Sequence, residues 1–77
     1  MIKIKAKDIE WNELKENDYL GRFMQYTIRI EKEDWRYWTV AIYTKEDIVF
    51  SCTKKTLKGS IRQSVRELNK IVKTVDK

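Results

Sequence analysis

The spacing of apolar side chains changes its period once along this chain, and that change limits what the chain can fold into. Between Phe23 and Cys52 apolar residues recur at every second position, as they do in half-buried strands. From Leu57 to Val75 they recur at steps of four and three, as on one face of a helix. The 77 residues therefore predict one α+β domain, 1–77, in which a three- to four-stranded antiparallel meander is packed on one face by a C-terminal amphipathic helix.

The strand-rich stretch divides into three runs joined by charged turns. Residues 31–34 and 45–47 are too polar to bury and predict the two turns. One face of the runs is strongly apolar and carries Met24, Tyr26, Ile28, Ile30, Trp38, Val40, Ile42, Ile48, Phe50 and Cys52. The other face mixes aromatic and polar side chains and carries Phe23, Gln25, Thr27, Arg29, Tyr37, Thr39, Ala41 and Tyr43.

The residues before this stretch give a weaker pattern. Apolar residues alternate with lysines over 2–6, which predicts a short edge strand, since lysines discourage unwanted pairing. Asp8 is suited to cap a short helical segment over 9–14. Residues 15–18 are predicted to form a loop.

The C-terminal helix has two candidate starting points. Thr56 is suited to the N-cap position, whereas Ser60 and Gln63 fit a capping box that starts the helix one turn later. The apolar stripe of the helix, Leu57, Ile61, Val65, Leu68 and Val72, is predicted to bury against Met24, Ile28, Trp38, Val40 and Phe50. The same spacing also fits a dimer seam of two heptads, so both a monomer and a homodimer are kept open.

A row of bases follows the opposite side of the same helix. Its members are Lys58, Arg62, Arg66, Lys70, Lys73 and Lys77. Like charges at helical spacing repel each other, so the row costs stability unless an anion lies nearby. The chain carries a formal net charge of +5, most of it in this C-terminal stretch, which favours an anionic partner. The bases are predicted to hold phosphates; the alternative is a helix face that is merely solvated.

The mixed sheet face is a second candidate surface. Arg29, Tyr37 and Tyr43 lie among amides and hydroxyls, a combination on which single-stranded bases stack. These three residues are therefore predicted to contact nucleic-acid bases. Two alternatives stay open: tyrosine and threonine are simply good strand formers, or residues 1–14 cover this face.

The composition disfavours most catalytic chemistry. There is no histidine, only one cysteine and no glycine-rich phosphate loop, so we expect no enzyme, no cofactor and no metal site. Cys52 is predicted to be an inert buried thiol. A chain without a disulfide, a signal-peptide core or a long apolar run is expected in the cytoplasm and not in a membrane.

The order of three strands followed by a helix, over Gly21 to Val75, resembles the arm-binding domains of phage-type integrases among several small sheet-plus-helix domains. The resemblance is one of element order, and no motif transfers that family's residues. The sequence predicts a non-enzymatic, basic nucleic-acid-binding accessory protein. The alternative is a protein-binding modulator, such as a phage-type inhibitor, that acts on an acidic or phosphate-binding site of its target.

Overall fold

Within the residues that the structure describes, the fold consists of five strands and one long helix. A computed structural model describes residues 3–75, with side chains through residue 72. After a turn of 3-10 helix at Ala6–Asp8, the elements are β1 (Glu10–Lys15), β2 (Asp18–Phe23), β3 (Tyr26–Asp34), β4 (Tyr37–Tyr43), β5 (Ile48–Lys54) and α1 (Leu57–Val75). Neighbouring strands are antiparallel, and the sheet order equals the chain order. An antiparallel sheet packed against one C-terminal helix confirms the α+β class, but the predicted three to four strands were too few.

The two additional strands come from the residues before Phe23. The predicted helix over 9–14 and loop over 15–18 were wrong, because β1 and β2 form a hairpin in which Lys15 pairs with Asp18. Asn17 makes this short turn possible, since it adopts a positive φ of 63°, a conformation that asparagine tolerates better than most residues. The predicted edge strand over 2–6 was also wrong: residues 3–5 are outside the sheet, and Ile2 lies outside the described residues.

The turn between β2 and β3 explains why one predicted core residue is exposed. Met24 was expected on the apolar face but is 76 % exposed. It lies in the turn between the two strands with a φ of 55°, which points its side chain out of the strand alternation. β2 therefore ends at Phe23. The side chain of Phe23 packs against the core, whereas it was predicted on the mixed face.

The turn between β3 and β4 falls later than the charges predicted. Residues 31–34 belong to β3, and the chain reverses at Trp35 and Arg36. Asp34 fixes this reversal, because its carboxylate accepts a 2.6 Å hydrogen bond from the Arg36 backbone. At this charged end of β3, Lys32 pairs with Trp38 of β4 and places its ammonium 5.7 Å from the centre of the Trp38 ring.

Strand register brings the apolar side chains onto one face. Ile28 pairs with Gly21 on one side and with Ile42 on the other, while Ile30 lies opposite Val40. Ile28, Ile30, Val40 and Ile42 are fully buried, as predicted. Gly21 leaves the space that the Trp11 ring fills: a Cβ at Gly21 would lie 2.7 Å from that ring, too close for any real contact.

Small residues let α1 approach the sheet closely. Ser60, Ser64 and Leu68 are fully buried, and each serine hydroxyl donates to the backbone carbonyl four residues earlier. Leu57, Ile61, Val65 and Val72 are partly buried against the same core, as predicted. The helix starts at the earlier of the two candidate points, because the Thr56 hydroxyl accepts a 2.9 Å hydrogen bond from the Gly59 backbone.

Truncation of Leu68 tests this packing of the helix on the sheet. Leu68→Ala leaves a cavity between helix and sheet, so we expect the free energy of unfolding to fall by about 2–5 kcal/mol. Leu14→Ala is the matched control, because Leu14 is 52 % exposed and its truncation opens no cavity. Chemical denaturation of the three proteins, monitored by tryptophan fluorescence, measures both effects. Equal midpoints for wild type and Leu68→Ala would contradict the packing described here.

Candidate nucleic-acid interface

The predicted row of bases lies on the outer side of α1. Lys58, Arg62, Arg66 and Lys70 are all exposed, since the side of the helix that carries Ser60, Ser64 and Leu68 faces the sheet. The side chain of Lys73 lies outside the described residues. The helix thus presents four successive turns of cations to solvent.

Within the part of the chain that the structure describes, three of these bases form no ion pair. Lys58, Arg62 and Arg66 have no carboxylate oxygen within ion-pair distance among residues 3–72. Lys70 lies 3.5 Å from the Glu67 carboxylate, which also accepts a 2.9 Å hydrogen bond from Gln63. The first three turns of the row are therefore the ones with charge to offer a partner.

An asparagine side chain binds the N-terminal segment to the helix. The Ile4 backbone N–H donates to Asn69 Oδ1 at 2.8 Å, and Asn69 Nδ2 donates to the Ile4 carbonyl at 3.0 Å. The same Nδ2 also donates to the Val65 carbonyl at 2.9 Å. Residues on either side of Ile4 are therefore held beside α1 and not on the mixed sheet face, which was one of the alternatives left open.

This contact brings a segment that carries three further bases beside the helix. Lys3, Lys5 and Lys7 flank the buried Ile4 and are exposed. We call residues 3–9 together with 57–72 the basic layer: it holds seven lysines and arginines but only two carboxylates. Residues 10–56, which build the sheet and its turns, hold eight bases and nine acids. The positive charge of the chain is thus concentrated in one layer of the fold, where it attracts anions.

The mixed sheet face is exposed to solvent, but it does not form a cluster of cations. Its central base, Arg29, binds Asp18 through two hydrogen bonds of 2.9 and 2.8 Å and lies 3.7 Å from Glu31. The hydrogen bond to Asp18 raises the pKa of the Arg29 guanidinium above its ordinary value; burial opposes this shift, and the charges of Asp18 and Glu31 add to it. The charge of Arg29 is already balanced inside the sheet.

The two tyrosines predicted for the same surface are far apart. Tyr37 begins β4 and Tyr43 ends it, so about 20 Å of strand separates them at the usual rise per residue. Tyr43 is half-buried beside Arg29, and Tyr37 is 37 % exposed near the turn to β3. The structure therefore does not bring Arg29, Tyr37 and Tyr43 together into one binding site.

Asp18 is a residue that the sequence did not single out. Its carboxylate is only 2 % exposed although it lies on the open face, because the Arg29 guanidinium covers it. The hydrogen bond from Arg29 holds the pKa of Asp18 below its ordinary value of 3.8; burial opposes this shift, and the charges of Arg29 and Lys15 add to it. The pair fixes β3 against β2 and is a structural contact.

Three further observations concern the cysteine, metal ions and membranes. Cys52 is half-buried on the helix side of the sheet, and burial raises the pKa of its thiol, with a further rise from Glu67 and an opposing effect of Lys54. No three His, Cys, Asp or Glu side chains among residues 3–72 are grouped to hold a metal ion. In the same part of the chain, no helix has both the length and the apolar character needed to cross a membrane.

Comparison with protein-family models, curated proteins and solved structures gives no match to this chain. The geometry and charge of the basic layer therefore carry the functional argument by themselves.

The Asp18–Arg29 pair predicts a specific pH dependence of stability. Because the pKa of Asp18 is lower in the folded than in the unfolded protein, its contribution is complete above pH 3.8 and is lost as the pH falls through the folded pKa. Asp18→Asn should lower the urea midpoint at pH 7, and the difference from wild type should shrink in acid. Glu33→Gln, at an exposed carboxylate of the same strand as Arg29, is the control. A difference in midpoint between Asp18→Asn and wild type that stays constant from neutral to acidic pH would show that the charge of Asp18 does not contribute to stability.

Proposed function

We propose that this protein is a non-enzymatic nucleic-acid-binding accessory protein whose basic layer holds phosphates. The observation that carries the proposal is the separation of charge between the two layers: the helix and the N-terminal segment hold seven bases and two acids, whereas the sheet is nearly neutral. Such a surface binds a polyanion favourably, and its affinity for the polyanion falls as the salt concentration rises.

The shape of the row favours a long anion over a small one. Lys58, Arg62, Arg66 and Lys70 are spaced four residues apart, which at 1.5 Å per residue gives about 6 Å between neighbours and about 18 Å in all. A single phosphate group contacts one or two such positions. A nucleic-acid backbone presents a phosphate to each of them, so the row matches a polymer.

The proposal assigns phosphate contacts to the basic layer and assigns no base recognition to the mixed sheet face. Arg29 already binds Asp18, and the two tyrosines lie at opposite ends of β4. Contacts limited to phosphates position a protein on nucleic acid without reading its sequence. We therefore expect similar affinities for unrelated sequences.

A second candidate function, a protein-binding modulator, is favoured by a different surface. Trp35 is 83 % exposed, with the Arg36 guanidinium 5.7 Å from its ring centre. Trp35 lines one groove together with residues of the turn between β1 and β2, and Leu14, which is 52 % exposed, precedes that turn. Exposed tryptophan and arginine are the residue types most often found at the energetic centre of protein interfaces.

Salt dependence separates the two candidates. We expect the wild-type protein to bind a random-sequence DNA duplex, with log affinity falling linearly against log salt. Replacing Lys58, Arg62 and Arg66 together by Gln should flatten that slope by about 2.7, at about 0.9 for each phosphate that is no longer neutralised. Fluorescence anisotropy of a labelled duplex over a salt series gives both values, and circular dichroism checks that α1 is intact.

The matched control changes the same charges on the other layer. Arg22, Arg36 and Lys45 are exposed on the sheet or its turns, and replacing them by Gln should leave the slope unchanged. Equal slopes for the two triple variants would contradict the proposed interface. If the wild-type protein binds neither DNA nor RNA at physiological salt, the nucleic-acid proposal is wrong and the protein-binding candidate takes its place.

A further inference from the structure

The two outer edges of the sheet differ in how they are protected. The β1 edge carries Glu10, Glu13 and Lys15, and its pairing is irregular between Glu13 and Lys15. Charges of this kind discourage another strand from adding to an edge. The β1 edge is therefore a poor template for further pairing.

The β5 edge lacks such charges over most of its length, although its pairing with β4 skips Val49, which places a bulge near its N-terminal end. Residues 48–53 contain no charge, glycine or proline, and Ile48 and Val49 are 64 % and 43 % exposed. Among the described elements β5 pairs with β4 alone, so its other side presents unpaired backbone N–H and C=O groups. A long, uncharged and exposed edge of this kind is a template for one more strand.

The charges at the two ends of β5 identify that strand. Glu46 and Asp47 precede the uncharged stretch, and Lys54 and Lys55 follow it. When two copies of β5 pair antiparallel, the acidic end of each lies next to the basic end of the other. With Ser51 opposite its own copy, Glu46 and Asp47 of each strand lie near Lys54 and Lys55 of the other strand. The strand is thus complementary in charge to itself.

We propose that β5 pairs antiparallel with the β5 of a second copy of this chain, which makes a symmetric dimer with one continuous ten-stranded sheet. The interface is isologous, because the same residues contribute from both copies. Antiparallel pairing about a two-fold axis perpendicular to the sheet keeps both helices on the same face. This inference does not depend on nucleic-acid binding.

The position of α1 leaves room for this arrangement. The helix packs over β3, β4 and β5 and is centred on β4. Three strand spacings separate β4 from its copy across the interface, which places the two helix axes about 14 Å apart there. Directly packed helices lie about 8–10 Å apart, so the two copies of α1 do not collide. The half-buried Phe50 and Cys52 lie in the space between them.

The oligomeric state of the purified full chain tests the proposal. Sedimentation equilibrium should give a mass approaching twice 9.4 kDa as concentration rises. Ser51→Lys places two ammonium groups opposite each other at the centre of the pairing, so we expect it to shift the protein to monomer. Asn12→Lys is the matched control: Asn12 is exposed on the same face of the other edge strand, and its variant should remain dimeric.

Each outcome is decisive. A wild-type protein that stays monomeric at every concentration overturns the proposal, as does a dimer that withstands both substitutions. If Ser51→Lys loses helix content by circular dichroism, Ser51→Asp makes the same test with two carboxylates at the same self-paired position. A monomer that binds an extended peptide through β5 would show that the edge accepts a foreign strand, and it would equally overturn the self-pairing.

Discussion

The rest of the arrangement depends on one side-chain contact, between the Asn69 amide and the backbone of Ile4. An amide offers both a donor and an acceptor, so Asn69 pairs with Ile4 much as a neighbouring strand would. With Ile4 held there, Ile9 and the Trp11 ring reach Gly21 and complete the apolar side of the sheet. The opposite side of the sheet consequently stays open to solvent.

The same contact creates the electrostatic asymmetry of the molecule. Repulsion along α1 is already unfavourable, because bases recur at every fourth position, and the neighbouring lysines of residues 3–9 add to it. The sheet compensates for its own charges internally, most clearly where Arg29 covers Asp18. One layer is thus electrically balanced, whereas the other retains its net positive charge, and a phosphate backbone would relieve that repulsion.

Local periodicity predicted the parts of the fold that depend on neighbouring residues. The alternation at Ile28, Ile30, Val40 and Ile42 marked the core of the sheet, and the steps of four and three marked α1. The hairpin of β1 and β2 was missed because its side chains contact residues that a local sequence pattern does not identify. The Trp11 ring, for example, fills the space beside Gly21. An asparagine in a short polar stretch, Asn17, was the available signal for that turn.

The candidate site was predictable to a similar extent. The bases of α1 follow from helical spacing alone, and they are exposed as far as residue 72. The contribution of residues 3–9 depends on a contact between positions 65 apart in sequence, which no local pattern encodes. Arg29 was assigned to a binding face because its partner, Asp18, belongs to a strand that had been predicted as a loop.

Mapping the bound surface directly tests the central claim that the basic layer is where nucleic acid binds. Backbone amide chemical shifts of the labelled protein are followed by NMR as a short DNA duplex is added at low salt. The account predicts that the largest changes cluster in residues 3–9 and 57–72 and disappear at high salt. Changes confined to β3 and β4 around Arg29, Tyr37 and Tyr43, with the basic layer unaffected, would contradict it.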